Sequence, residues 1–284
     1  MPCFIFAILT GIFFGLQGTY SKILTKRISP TLLTWGIFTF TLPYLLLFLL
    51  FDGIPEITWK DFWWSTTVSL LVNVLAWNLF FRALKESDLA HTMPFTSFTP
   101  LFLIPVAYFL LGEMPDRKGI LGILLIISGG YGIHLESKNL LKPFKSLLYN
   151  KGTRLMLIVS FIWSISATVE KVAVLSSSQV FYGVTIQFFL SLAYLPYLMH
   201  NKAQKTDIVK KNLPGLFLLG LISGLLILFQ FTALKYLFVS YVIAFKRAGI
   251  IISVFLGIII FKEKNPLKNI LCALIIVSGV FLLL

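Results

Sequence analysis

Ten apolar blocks run through this chain, at about residues 4–24, 31–51, 62–82, 89–111, 118–135, 155–175, 178–199, 213–233, 236–261 and 268–284. Most are close to the ~20 residues that carry a helix across a bilayer core. Inside a bilayer every backbone polar group must find its partner within the segment, which leaves helices or closed barrels. Blocks of this length and continuity select helices. Only 12% of the 284 residues are charged and 58% are hydrophobic, with a mean hydropathy of +0.92. A soluble domain of this size carries about twice that charge fraction. The expected fold is therefore all-α: a polytopic membrane protein with ten transmembrane helices, numbered here as segments 1–10, and no soluble domain. The first block lacks a basic leader and is followed at once by further spans, so it reads as a membrane helix and not as a cleaved signal.

Two stretches align without a gap. "ALKESDLAHTMPFTSFTP" from Ala83 matches "ALKYLFVSYVIAFKRAGI" from Ala233 at an offset of 150. Phe81 pairs with Phe231, Phe95 with Phe245, Glu113 with Glu263, Lys118 with Lys268 and Ser128-Gly129 with Ser278-Gly279. Nearer the start the offset is 149, pairing Thr19-x-x-Lys22 with Thr168-x-x-Lys171. The chain thus divides into two copies of one unit, 1–135 and 154–284, joined by the hydrophilic stretch 136–153. Five crossings per copy is an odd number, so the second copy enters the membrane from the opposite face. The copies are then inverted about an axis in the membrane plane, the arrangement suited to alternating access.

Ten spans in two five-span repeats, with a Glu closing segments 4 and 9 ("LLGEMPDRKGILGILLIISGG", "IIFKEKNPLKNILCALIIVSGV"), resemble the EamA-type members of the drug/metabolite transporter superfamily. "AFKRAGIIISVFLGIIIFKE" resembles a segment-9 variant of that family. The resemblance implies a secondary transporter of small metabolites, with a cavity lined mainly by segments 1, 3, 4, 6, 8 and 9, and both termini in the cytoplasm. The charges imply the reverse orientation. Loops after odd-numbered segments carry sixteen Lys and Arg and those after even-numbered segments four; the positive-inside rule then puts both termini outside. The expected home is a bacterial inner (plasma) membrane.

The net charge of +13 comes mostly from these loop cations, so it sets topology and does not call for a nucleic-acid partner. Cys3 and Cys272, and His91, His134 and His200, form no metal-ligand spacing or disulfide framework, and no cofactor is expected. The expected partners are a small-molecule substrate, the lipid bilayer, and a coupling proton or counter-substrate. The oligomeric state is not legible.

Five charges fall inside spans: Lys22, Lys171, Lys246, Arg247 and Glu170. Lys246 lies ten residues beyond Tyr236 and fifteen before Phe261, out of snorkelling reach of either end. Uncompensated, it and Arg247 together cost roughly 5–7 kcal/mol on insertion scales. Gly249, Ser253 and Gly257 share its helix face, a small-residue packing surface that turns Lys246 into the protein. Two readings stand: a structural buried ion pair, or an anion-attracting site for a carboxylate- or phosphate-bearing metabolite. Glu170 is read as a counter-ion for these cations, or as a proton-carrying acid. Lys22 and Lys171 are repeat mates near opposite faces, as snorkelling helix ends or as gate residues. Gln17, Asn73, Asn78, Gln187 and Gln230 are amides that either glue helices or touch substrate; Trp77 and Trp163 lie in cavity-prone segments. Glu113 and Glu263 are read as turn or cap elements. Pro94, Pro100 and Pro105 make segment 4 the candidate bending element. Among other functions, an intramembrane transferase would need paired acid–base groups or a metal cluster, which are missing. A lipid or lipid-linked sugar flippase shares the expected architecture.

Overall fold

The computed structural model describes residues 2–86, 92–134, 145, 149–199, 202–261 and 266–284. Within these residues it contains helices and no strand. They are α1 (Pro2–Leu24), α2 (Pro30–Asp52), α3 (Trp59–Glu86), a 3-10 turn (Met93–Phe98) leading into α4 (Thr99–Leu111), α5 (Arg117–His134), α6 (Lys151–Leu175), α7 (Gln179–Met199), α8 (Lys202–Lys211), α9 (Leu213–Tyr236), α10 (Val239–Ala248), α11 (Ile250–Phe261) and α12 (Pro266–Leu283). Eight helical stretches are long and apolar enough to cross a membrane: α1, α2, α3, the turn with α4, α6, α7, α9, and residues Val239–Leu256. α5 and α12 stand where segments 5 and 10 were expected; α12 is a shorter apolar helix. α8 is a short polar helix where the sequence suggested only a hydrophilic loop. His91, Glu263 and most of 136–153 lie outside the described residues. Large apolar side chains such as Leu50, Phe109 and Phe281 are exposed, as lipid-facing surface requires.

The helices pair in a reciprocal way. α3 packs along α6, and α1 packs along α9. Segments 3 and 8 are repeat mates, as are 6 and 1, so each pairing is the other with the copies exchanged. α5 packs on α12 through Gly122, where a Cβ would come within 2.8 Å of the Gly279 carbonyl oxygen, and through Gly129, where it would come within 2.7 Å of the Cys272 carbonyl oxygen. At the 150-residue offset Gly122 maps onto Cys272 and Gly129 onto Gly279, so this contact maps onto itself. A surface that meets its own copy in this way has the self-complementarity of a two-fold interface.

Segments 4 and 9 are both interrupted, not segment 4 alone as its prolines suggested. The first breaks between Phe98 and Thr99, the second at Gly249, the repeat mate of Thr99. The causes differ. Pro94 and Pro100 remove backbone donors in segment 4. Gly249 instead lies against α1, where a Cβ would fall 1.9 Å from the Gly11 carbonyl oxygen, and its N–H is shared by the Phe245 and Lys246 carbonyls at 3.2 Å each. Ser253 follows one turn later and donates to the Gly15 carbonyl at 2.9 Å. The Gly249–Ser253 face thus packs on α1.

Replacing Gly249 with valine forces two backbones apart. The expected loss is about 3 kcal/mol or more, above the usual cost of overpacking. Thermal unfolding of the purified variant should show a clearly lowered transition. Gly224→Ala, whose Cβ would meet nothing closer than 3.5 Å, should leave the transition near that of the parent.

Candidate functional site

Repeat mates also meet at the polar level. Gln17 of α1 donates to Ser223 of α9 at 2.7 Å, and Asn73 of α3 donates to Ser166 of α6 at 2.7 Å. Gln17 is the mate of Ser166, and Asn73 of Ser223, so one amide–hydroxyl bond occurs twice with the donor exchanged between copies. Ser160 likewise donates to the Phe95 carbonyl at 2.6 Å. Its mate Gly11 lies so close to the Phe245 carbonyl that a Cβ would come within 2.5 Å. These bonds fix segments 1, 3, 4, 6, 8 and 9 around a common centre.

At that centre sits Arg247. Its guanidinium carbon lies 5.7 Å from the ring centroid of Phe14 and 5.6 Å from that of Trp163. Phe14 and Trp163 are themselves repeat mates, so the guanidinium is equidistant from equivalent points of the two copies. Both separations fall within cation–π range. Nη2 donates to Thr99 at 3.1 Å, whereas Nε is buried with no hydrogen-bond partner. Lys246 donates to Gln230 of α9 at 2.7 Å and lies 5.5 Å from the Phe14 ring. Both cations lie deep among protein atoms yet keep some accessible surface, as do Phe14, Gln17 and Trp163. Trp163 extends the apolar wall through Trp77 and Phe80, both at 5.7 Å.

Glu170 reaches the same region from α6. Its Oε1 accepts from Ser166 at 2.8 Å and from Asn73 at 3.3 Å. Asn73 in turn bonds Ser69, to which the buried Tyr182 hydroxyl donates at 2.9 Å. Glu170 forms no ion pair within 4 Å with Lys246 or Arg247, so it is not their paired counter-ion. The structural ion-pair reading of Lys246 and Arg247 therefore has no acidic partner among the described residues.

Lys171 does not snorkel, one of the two readings its position allowed. Its buried ammonium ion-pairs with Glu113 and donates to the Leu237 carbonyl at 2.7 Å. The second Glu113 oxygen accepts the Val239 N–H at 2.8 Å, capping α10. The ion pair thus ties together the ends of segments 4, 6, 8 and 9. Glu113 is a cap, as its place at a turn suggested, but it caps a helix of the other copy. Lys171 is 8% exposed and does not snorkel, while its mate Lys22 is exposed near the end of α1. Asn78 is exposed and donates back to the Val74 carbonyl of its own helix at 2.8 Å. Gln187 is buried in α7, its Oε1 without a partner. Phe14 and Thr99 were missed; applying the 149- and 150-residue offsets to Trp163 and to the Gly249 break points to both. Among the described residues, no three His, Cys, Asp or Glu side chains converge to hold a metal ion.

The EamA-like transporter family model matches residues 1–135 and again 150–284. The chain belongs to the EamA-like transporter family. An uncharacterized transporter from Methanothermobacter thermautotrophicus is 26% identical over 187 residues, which cover 59% of this chain. The match spans 52%, about half, of that relative's own length. A solved crystal structure superposes on the whole chain with a TM-score of 0.75 at 16% identity, and 97% of that structure is covered. At that identity the likeness is one of fold. With the apolar helices, the family makes this an integral, multi-pass membrane protein.

Removing one partner of the buried Glu113–Lys171 pair strands the other charge. Glu113→Gln or Lys171→Met should each lower stability by roughly 3–5 kcal/mol. The Glu113→Gln/Lys171→Met double variant should lose less than the two single losses added together. Thermal unfolding of the four proteins in one detergent checks both expectations.

Proposed function

We propose that this EamA-like protein is a secondary active transporter, moving a small anionic or zwitterionic metabolite by alternating access. Two inverted five-helix repeats, 1–135 and 154–284 joined by 136–153, would exchange conformations around one central site. The observation that carries this reading is the unneutralised guanidinium of Arg247, equidistant from the repeat-related rings of Phe14 and Trp163. A charge in that position costs several kcal/mol in a bilayer unless something compensates it. No carboxylate pairs with it among the described residues, and its buried Nε has no hydrogen-bond partner. An anion arriving from water would supply both missing partners.

The reciprocal helix pairings and the twice-repeated amide–hydroxyl bond favour a two-fold relation between the copies, and the antiparallel run of α3 on α6, from Lys151–Glu86 to Ser166–Asn73, favours inversion. A site at the crossing of the two copies would face either side with the same residues. Interrupted segments 4 and 9 suit such a site, since broken helices bring free backbone groups to a cavity. Lys246, Arg247, Gln230, Gln17, Trp163 and Glu170 are the proposed substrate-binding residues. Asn78, whose amide bonds back to its own helix, is not among them. A bacterial inner membrane is the proposed location.

Uptake into proteoliposomes, screened over carboxylates, phosphosugars and amino acids, tests this. Arg247→Gln and Lys246→Gln should each reduce uptake of the accepted anion by about tenfold or more, the loss expected for a charged, desolvated partner. Asn78→Ala should transport like the parent. Undiminished uptake by a well-folded Arg247→Gln protein would refute the assignment.

A further inference from the structure

The following rests on the transporter reading above and narrows its ligand. Three ionisable side chains carry charge at the central site: Lys246 and Arg247 from segment 9 and Glu170 from segment 6. On the helices packed around them the buried Lys171 and Glu113 neutralise each other in their own ion pair. The remaining neighbours, namely Gln17, Asn73, Thr99, Gln230 and the Tyr182 phenol, are neutral. Two cations and one carboxylate leave the site with one net positive charge.

Net charge matters here more than at a surface. Screening is weak in a low-dielectric interior, so a ligand that leaves the site uncharged is favoured over one that leaves it positive or negative. The donors agree with the count. Arg247 spends Nη2 on Thr99 and leaves Nε unused. The Lys246 ammonium has three N–H groups, and one is engaged with Gln230. Free donors on neighbouring residues, at 5.5 and 5.7 Å from the same Phe14 ring, suit one carboxylate. The rings of Phe14 and Trp163 flank these donors and offer apolar surface to the rest of the ligand. Glu170 faces the other way round. Its Oε1 is held by Ser166 and Asn73, while its second oxygen accepts no hydrogen bond among the described residues. A second anionic group on the ligand would add to that negative charge.

We propose that the site selects a net monoanion, a monocarboxylate with an apolar body, and that Glu170 sets this limit by cancelling one of the two cations. Glu170 is then a specificity-determining residue that repels dianions.

Three probes on one carbon frame test the idea: benzoate, terephthalate and benzamide, with net charges of −1, −2 and 0. Their affinities for the purified full-length protein are measured by calorimetry or thermal shift at neutral pH. The parent protein should bind benzoate about tenfold or more tighter than either other probe. Glu170→Gln keeps the shape and raises the site to two positive charges; terephthalate should gain about tenfold or more relative to benzoate. A parent protein that prefers terephthalate or benzamide overturns the proposal, and so does a well-folded Glu170→Gln protein with an unchanged preference. If Glu170→Gln does not fold, Lys246→Gln serves, since it brings the site to zero charge; benzoate should lose its advantage over benzamide, and a retained advantage overturns the proposal. The two levels separate cleanly. A terephthalate preference that Arg247→Gln abolishes sinks the monoanion inference alone. Failure of every anionic probe to bind the parent protein sinks the inference together with the anion site beneath it.

Discussion

A guanidinium held between two rings that are copies of one another is the contact around which this molecule is arranged. Phe14 and Trp163 sit 149 positions apart and lie within 0.1 Å of the same distance from Arg247. That equality follows from the helices that bring them there. α1 approaches segment 9 until Gly11 and Gly249 touch backbone to backbone, while α6 approaches segment 4 through the Ser160 hydroxyl. In one copy the closeness comes from missing side chains, in the other from a hydrogen bond. The two contacts produce the same spacing by different means, and the cation fills the space between them.

Symmetry organises the scaffold, and departures from it supply the chemistry. Where segment 9 has Lys246 and Arg247, segment 4 has Thr96 and Ser97, and Thr96 merely bonds back to the Met93 carbonyl. Gln230, which receives Lys246, replaces Phe80 of the first copy, and Glu170 replaces Ser21. Every charged or amide group gathered on Lys246 therefore stands where the other copy has a hydroxyl or a ring. Away from the centre the copies differ again: Lys171 is buried in an ion pair with Glu113, whereas Lys22 is exposed. That buried pair joins segment 4 of one copy to segments 6, 8 and 9 of the other, so it couples the halves at one end of the bundle.

Much of this was legible in the sequence, because apolar length and a fixed offset are one-dimensional signals. The blocks located the helices, the offset paired the copies, and the depth of Lys246 and Arg247 along segment 9 marked them as internal. Other features depend on which helix lies opposite, and no local pattern records that. Lys171 looked like a snorkelling residue because its distance from the helix end allows it; Glu113, 58 positions earlier, holds it instead. Asn78 and Asn73 lie on the same helix, yet one is exposed and the other is buried against Ser166. Segment 9 lacks proline, so its interruption at Gly249 was hidden; the cause is the close approach of Gly11. Phe14 is one of 28 phenylalanines, and only its relation to Trp163 distinguishes it.

Inversion of the two copies is the claim from which central placement of the site follows, and loop topology tests it most directly. Arg27, after segment 1, and Ser176, after segment 6, are equivalent positions of the two copies. Single cysteines placed there, in a protein lacking Cys3 and Cys272, are treated with a membrane-impermeant thiol reagent applied to one side of sealed vesicles. Inverted copies place the two positions on opposite sides, so a given side should label one and spare the other. Labelling of both from the same side would mean parallel copies and would contradict inversion, and with it an exchange of the two copies about Arg247.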